Sequence, residues 1–278
     1  RYGYPEWAIK KIFSEYGREK GKEIVAAKKR GGTHVRTNGL IYSDEKFERD
    51  LENAGYKFEK TKTGYYVSMN PLLKKLFIEG RITYQSLTST YAALALDVKD
   101  GQNVLDVCSA PGGKAIFVAE KNPTAHVVAC DIHPHRVELI GAYARRMHVK
   151  NVTPTLFDGT AFNKEWAGHF DRVLCDVPCS AMGVVKKQPD VLLNRNENDI
   201  AALKKVQYSI LDNAKNYVKR GGLLVYSTCT IFKEENDDNV EEFLKNNNDF
   251  EKYPSEFDGQ YLPCDTHDGF FIRRLRRK

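Results

Sequence analysis

A chain of 278 residues, 41% hydrophobic and 29% charged, is long and apolar enough for one large domain with a sizeable core plus a smaller domain. No apolar run approaches the roughly 20 residues of a membrane span, and the N-terminal stretch REKGKEIVAAKKR lacks the apolar core of a secretory signal, so a cytoplasmic protein without membrane contact is expected. The net charge of +6, with five basic residues in the closing FIRRLRRK and more in AAKKRGGTHVR, tilts the expected partner toward a polyanion, against the plainer reading of a solvated basic surface.

In chain order, PEWAIKKIFSEYG and REKGKEIVAAKK show helical periodicity. THVRTN, SDEKFERDLENAG, YKFEK and GYYVSM then read as strand, helix, strand and strand, a small α/β module. EGRITYQSLTSTYAALAL reads as a helix leading into a larger domain, and the division falls near residue 95, giving domains 1–95 and 96–278. From there NVLDV, HVVACD, VTPTLFD, RVLCDV and GLLVYST are strands. They alternate with the helices GKAIFVAEK, HRVELIGAYARRMHV, ENDIAALKKVQYSILDNAKNYVKR and NDDNVEEFLKNN. Such alternation with near-continuous apolar strands predicts an α/β fold, a doubly wound, Rossmann-like parallel sheet with helices on both faces.

The strongest local signal is LDVCSAPGGKA, where a strand runs into Asp106, then small residues and the pair Gly112-Gly113, then a helix. In a doubly wound sheet this turn receives a nucleotide-like ligand, because glycines permit close approach and the helix start offers free N–H groups. It is neither the dinucleotide pattern G-x-G-x-x-G nor a P-loop. Asp131 ends the next strand, eighteen residues after Gly113, where such folds place an acceptor for ribose hydroxyls. Asp158 and Asp176 end the two strands after that. Each acid alone reads as a turn or helix cap, but four at successive strand ends outline one crevice.

The six cysteines contain no C-x-x-C pair and no cysteine–histidine zinc spacing, so no metal site is expected and any reactive cysteine works as a thiol. Two compete for a nucleophile's role: Cys179 of DVPCS and Cys229 of YSTCT. Cys130 and Cys175 lie within apolar strands and read as core, Cys108 as packing in the loop, and Cys264 has no motif around it. His133 and His135 read as opening a helix, Tyr208 and Tyr217 as packing, and the acidic run EENDDNVEE as a solvated helix start.

DVCSAPGGK, DVPCSAMG and VYSTCT, in that order and spacing, resemble the RNA 5-methylcytosine methyltransferases of the Rsm/Sun and NOL/NSUN type. The similarity runs from YPEWAIKKI through EGRITYQS and Gln207 to DGFFIRRL, and within the family the bacterial 16S ribosomal RNA cytosine-C5 enzymes are most similar. The resemblance implies a class I methyltransferase fold with S-adenosylmethionine as cofactor. The cofactor is expected on Cys108, Ser109, Ala110, Pro111, Gly112, Gly113 and Lys114, on Asp131, Asp158 and Asp176, and on Arg136 as a further contact. It also implies a small RNA-recognition-like domain before residue 95, of the kind that holds single-stranded RNA on a sheet. The expected partner is RNA, 16S ribosomal RNA first and tRNA or 23S ribosomal RNA as alternatives, with the protein acting as a monomer.

Cytosine carbon 5 is a poor nucleophile until a thiolate adds to carbon 6 and turns the ring into an enamine-like species. By resemblance, Cys229 is the nucleophile, Cys179 assists product release and Asp176 holds the pairing edge of the base. DNA cytosine methyltransferases would put the attack on the proline-cysteine residue instead, but they need a target-recognition domain between these motifs, where this chain has largely one helix. A catalytically idle RNA-binding ribosome-assembly factor is the other rival. Two departures from the family pattern stand out. Ala181 replaces the usual glycine after PCS, with Gly183 expected to lend the loop flexibility. The sequence also contains no counterpart of the N-terminal helical RNA-binding domain common in the bacterial enzymes; it starts at Arg1 rather than methionine and is read either as part of a longer chain or as a shorter relative with another target.

Overall fold

In the computed structural model, which describes residues 3–28 and 31–278, the chain opens with helix α1 (Glu6–Ala26), broken at Gly17, whose φ of 74° suits glycine. The periodicity break between the two expected helices falls at that residue. Next come β1 (Thr33–Thr37), α2 (Asp44–Asn53), β2 (Phe58–Thr61), β3 (Gly64–Val67), α3 (Pro71–Ile78) and β4 (Ile82–Tyr84). They form an antiparallel four-stranded sheet of order β2-β3-β1-β4, the split βαβ arrangement. Helix α2 starts where the Ser43 side chain accepts the Lys46 N–H, and α3 where Asn70 accepts from Leu73 just ahead of Pro71. One sheet face packs Val35 against Phe47, Leu51, Leu73 and Leu76. The stretch EGRITYQSLTSTYAALAL is not one helix: Ile82–Tyr84 pair with β1, and helix α4 (Leu87–Ala95) begins only after Ser86. Pairing of the β-branched Ile82 and Thr83 overrides the helical pattern there.

The other face of this sheet does not lie open to RNA, contrary to the expectation drawn from RNA-recognition domains. Arg36, 1% exposed, reaches from β1 to form a buried ion pair with Glu120 and lies 4.6 Å from the centre of the Phe117 ring. Both partners belong to helix α5 (Gly113–Lys121). Thr83 bonds to Tyr143 and to Arg146 on α6 (Pro134–Arg146), and the Tyr66 hydroxyl donates to the Thr266 carbonyl at 2.6 Å. This face is thus buried against α5, α6 and the segment at Thr266.

That sheet is built from β5 (Asn103–Asp106), β6 (His126–Asp131), β7 (Val152–Leu156), β8 (Phe170–Asp176), β9 (Val218–Thr228), β10 (Phe250–Lys252), β11 (Gly259–Tyr261) and β12 (Phe270–Arg277). Helices α7 (Val191–Asn194), α8 (Glu197–Ala214) and α9 (Asp237–Asn246) complete the chain. Strand order is β10-β12-β9-β8-β5-β6-β7, with β11 beside β12. Strands β5 to β9 are parallel, as the apolar runs predicted, while β12 enters antiparallel between β9 and β10. The chain winds from β5 outward through β6 and β7, then returns to β8 on the other side of β5, so the order reverses at β5/β8 and opens a crevice at the strands' carboxyl ends. The long helix α8 stops at Ala214, short of the expected Arg220, because Val218 already belongs to β9.

The closing FIRRLRRK is strand β12 rather than a basic tail. Arg273 pairs with Asp237 at 2.7 Å and Arg277 with Asp249 at 3.2 Å, Arg276 pairs with Glu251, and Arg274 donates to the carbonyls of Tyr253 and Pro254. These cations are engaged within the fold, which removes that cluster as a ready polyanion surface. In the other basic run Arg36 is buried, and Lys29 and Arg30 lie outside the described residues. Among the described residues no helix is long and apolar enough to cross a membrane.

Candidate active site

The crevice holds a cavity of about 460 Å³ whose lining includes Cys108, Asp131, Asp158, Asp176, Cys179 and Cys229. Ala110 and Arg136 also line it. The turn after β5 is shaped from below. Gly112 caps α5 with a φ of +109°, and a Cβ there would lie 3.4 Å from Ile140, while Gly113 faces Gln85. Ser109 is tied down by its N–H to the Cys130 carbonyl at 2.7 Å. Ser109, Pro111, Gly112 and Gly113 therefore build the turn rather than the cavity lining.

Asp131 accepts the His133 N–H at 3.0 Å and pairs with Arg136 at 3.1 Å, and Arg136 donates on to the Ala110 carbonyl at 2.9 Å. Arg136 thus fastens the glycine loop to the end of β6. Asp158 turns into its own loop, accepting from the Thr160 N–H and hydroxyl at 2.9 and 2.7 Å. Sequence reasoning missed the apolar wall of the cavity, made by Ile132, Phe157, Val206 and Ile210. Ile132, 52% exposed directly after a strand-ending acid, was the available signal.

Lys114 is not part of the cavity lining itself. Its ammonium pairs with Asp176 at 2.5 Å, and Asp176 accepts the Ser227 hydroxyl on its other oxygen at 2.7 Å. Burial works against the lysine's charge, but Asp176, Asp106 and Cys229 outweigh it and raise its pKa. The charge of this lysine also interacts with Cys229.

The two cysteines of the opposing motifs meet: Cys179 Sγ lies 3.2 Å from Cys229 Sγ. The hydrogen bond to Cys229 first, then burial and the negative charge of Glu235, push the Cys179 thiol well above its ordinary range. Burial likewise pushes up Cys108, Cys130 and Cys175, which fits their reading as packing residues. Cys264 lies apart, against Thr266.

The proline-cysteine loop is clamped. Gly183 donates to the Cys229 carbonyl at 2.9 Å and accepts from Gly269 at 2.8 Å. A Cβ on Gly183 would stand 2.4 Å from the Gly269 oxygen, so this glycine serves close approach rather than the expected flexibility. Ala181 carries the left-handed φ of 61°, a conformation that costs an L-residue about 1 kcal/mol more than glycine. Ala181→Gly, restoring the family's usual residue, is expected to stabilise the protein by about that amount in urea denaturation; an unchanged or lowered midpoint contradicts the strain.

Asp106, at the end of β5, is 2% exposed, and neither carboxylate oxygen has a well-aligned hydrogen-bond partner. Burial and then the charge of Asp176 push it up to about 7, with Lys114, the nearby Ser109 hydroxyl and the Cys108 backbone only partly offsetting them. The native state keeps this proton while the unfolded chain loses it near 3.8. Its contribution to stability is therefore present at acid pH and lost as pH rises from about 4 through 7, by roughly 4 kcal/mol in all. Asp106→Asn is expected to flatten that part of the stability–pH profile, and identical slopes for both proteins contradict the assignment.

Buried carboxylates in excess of nearby cations, an apolar slot and acids at strand ends suit a ligand combining a flat base, ribose hydroxyls and a positive centre, which S-adenosylmethionine is. Fold and crevice together define an S-adenosylmethionine-dependent methyltransferase with a Rossmann-like catalytic sheet. The 16S rRNA methyltransferase RsmB/F family matches residues 93–276, and this chain belongs to it. It is 33% identical over 296 residues to the ribosomal RNA small subunit methyltransferase B of Salmonella paratyphi B, covering all of this chain and 67% of that protein. To the protein of the same name from Photorhabdus laumondii it is 32% identical, over 99% of this chain and 66% of the relative. The chain thus spans about two thirds of the length of these relatives. A methyltransferase homolog from Pyrococcus horikoshii superposes with a TM-score of 0.85 at 26% identity, covering 100% and 97% of the two chains. NSun6 from the same organism shares the fold, with a TM-score of 0.86 at 20% identity over 99% of each.

Proposed function

We propose that this chain methylates carbon 5 of a cytosine in RNA, with 16S ribosomal RNA as the substrate, through a covalent bond between Cys229 and carbon 6. The observation that carries this reading is the contact of two thiols at 3.2 Å beside the Lys114–Asp176 pair, inside the crevice. The names of the relatives, ribosomal RNA small subunit methyltransferase B, support the choice of RNA.

S-adenosylmethionine, when bound, supplies an electrophilic methyl group. Asp131 and Asp158 at the strand ends, with the apolar slot of Ile132, Phe157 and Ile210, are the residues that would hold it. Attack takes the thiolate form of Cys229, toward which Lys114 brings a positive charge and Cys179 a thiol. As the thiolate adds to carbon 6, carbon 5 becomes nucleophilic and takes the methyl group. A general base takes the proton from carbon 5, the C5–C6 double bond re-forms as the C6–S bond breaks, and the electron pair returns to Cys229. Cys179, held as a thiol, donates to that departing sulfur, which gives it a part in release. Asp176, fixed by Lys114 and Ser227, presents a carboxylate to the pairing edge of the base.

The division near residue 95 belongs to the same reading: residues 1–95 form an N-terminal helical and RNA-recognition-like unit and 96–278 the catalytic domain. Since the helix-free face of the first sheet is buried on α5 and α6, RNA would meet this unit elsewhere than in RNA-recognition domains that stack bases on their sheet. A short RNA containing 5-fluorocytosine tests the chemistry, because fluorine at carbon 5 cannot leave as a proton does. The expected result is a denaturant-stable protein–RNA complex whose RNA is attached to the Cys229 peptide; attachment at Cys179, or none, overturns it.

A further inference from the structure

Among the acidic residues of the run after the second cysteine motif, one is fully buried. Glu235 is 0% exposed. It lies in a short 3-10 turn, Lys233–Glu235, and its carboxylate faces inward to the proline-cysteine loop. One oxygen accepts the backbone N–H of Ser180 at 2.8 Å and the Gln207 amide at 2.9 Å. The other accepts the Ser180 hydroxyl at 2.5 Å. The Ser180 hydroxyl also meets the Thr230 hydroxyl at 2.7 Å. Ser180 directly follows Cys179, and Thr230 directly follows Cys229.

We infer that Glu235 is a positioning residue for the reaction: through Ser180 and Thr230 it locks the two cysteine-bearing loops in register, and so sets the distance between Cys179 and Cys229. The inference rests on the roles proposed above for the two cysteines. Gln207, which also donates to the Pro178 carbonyl at 2.9 Å, braces the loop from α8. Asn239 on α9 donates to the Gln207 carbonyl oxygen at 3.1 Å, and the Tyr226 hydroxyl donates to the Glu235 carbonyl at 2.6 Å. The carboxylate is thus held from several elements, and truncation leaves the Ser180 N–H and hydroxyl without their acceptor. Because a sulfur–sulfur contact weakens steeply with distance, a displacement of one ångström at Cys179 affects release before it affects attack by Cys229. Glutamine keeps an acceptor for the Ser180 and Gln207 N–H groups and a donor for the Ser180 oxygen, so it preserves the link.

The test reads the sulfur distance independently of methyl transfer. Hydrogen peroxide oxidises two neighbouring thiols to a disulfide, with two protons and two electrons passing to the peroxide to give two waters. The Cys179–Cys229 disulfide is followed by peptide mass spectrometry in wild type, Glu235→Ala and Glu235→Gln. Glu235→Ala is expected to slow its formation about tenfold and, in methyl-transfer assays, to raise the fraction of protein held as RNA adduct while KM for RNA changes less than about twofold. Glu235→Gln is expected to restore both. Should Glu235→Ala not fold, Ser180→Ala removes only the hydroxyl end of the link and is expected to slow the disulfide about threefold. Disulfide formation at the wild-type rate in Glu235→Ala, or in Ser180→Ala where that variant is the one used, overturns the inference. A wild-type protein that forms the disulfide readily but transfers no methyl group contradicts the proposed chemistry and leaves the positioning claim to be decided by the disulfide rates alone.

Discussion

Cys179→Ala is expected to leave protein and RNA covalently joined, and Cys229→Ala to form no adduct and to lose turnover by roughly four orders of magnitude or more. The asymmetry follows from the geometry of two sulfurs that are otherwise alike. Cys179 is 7% exposed and held as a thiol by its bond to Cys229, by burial and by Glu235, which makes it a poor nucleophile and a good donor. Cys229 is only partly buried, shares the contact with Cys179 and interacts with the charge of Lys114. Without Cys179 the attacking sulfur still reaches carbon 6 but leaves without a proton donor beside it. Denaturing gels of reactions with labelled RNA read both outcomes; adduct in Cys229→Ala, or none in Cys179→Ala with full turnover, reverses the assignment.

The second large effect concerns stability. Arg36 and Glu120 form an ion pair whose side chains are 2% and 1% exposed, and Glu120 also accepts the Gly39 N–H at 3.0 Å. Arg36→Ala strands the Glu120 carboxylate in the interface between the two sheets, and the expected loss is about 3–5 kcal/mol. The double variant Arg36→Met, Glu120→Leu removes both charges and is expected to recover most of that loss, though not the part owed to Gly39. Urea denaturation of the single and double variants checks this; a double variant no better than Arg36→Ala shows that packing of the arginine, not its charge, carries the interface.

Much of the catalytic sheet was legible because its strands β5 to β9 are buried on both sides and read as apolar runs. Strand β12 was not, since Arg273, Arg274, Arg276 and Arg277 write a charge cluster over a pattern in which Phe271, Ile272 and Leu275 are buried. The pairing that neutralises those arginines comes from Asp237, Asp249 and Glu251, distant enough in sequence that local pattern cannot reveal it. The same limit hid the burial of Arg36, whose partner is 84 residues away. At the site, the strand-end acids and both cysteines were legible from motif order. The direction of Lys114 was not, because helix position alone does not tell whether a side chain turns to the cofactor loop or across to Asp176. Glu235 was masked by its acidic neighbours, since a solvated run and a run with one buried acid share a composition.

The atom that receives the methyl group decides between this chemistry and any other. Unmodified 16S ribosomal RNA incubated with the protein and S-adenosylmethionine carrying a labelled methyl, then digested to nucleosides and resolved by mass spectrometry, answers it directly. Label is expected in 5-methylcytidine, and none with Cys229→Ala. Label in any other nucleoside, or in 5-methylcytidine made equally by Cys229→Ala, contradicts it.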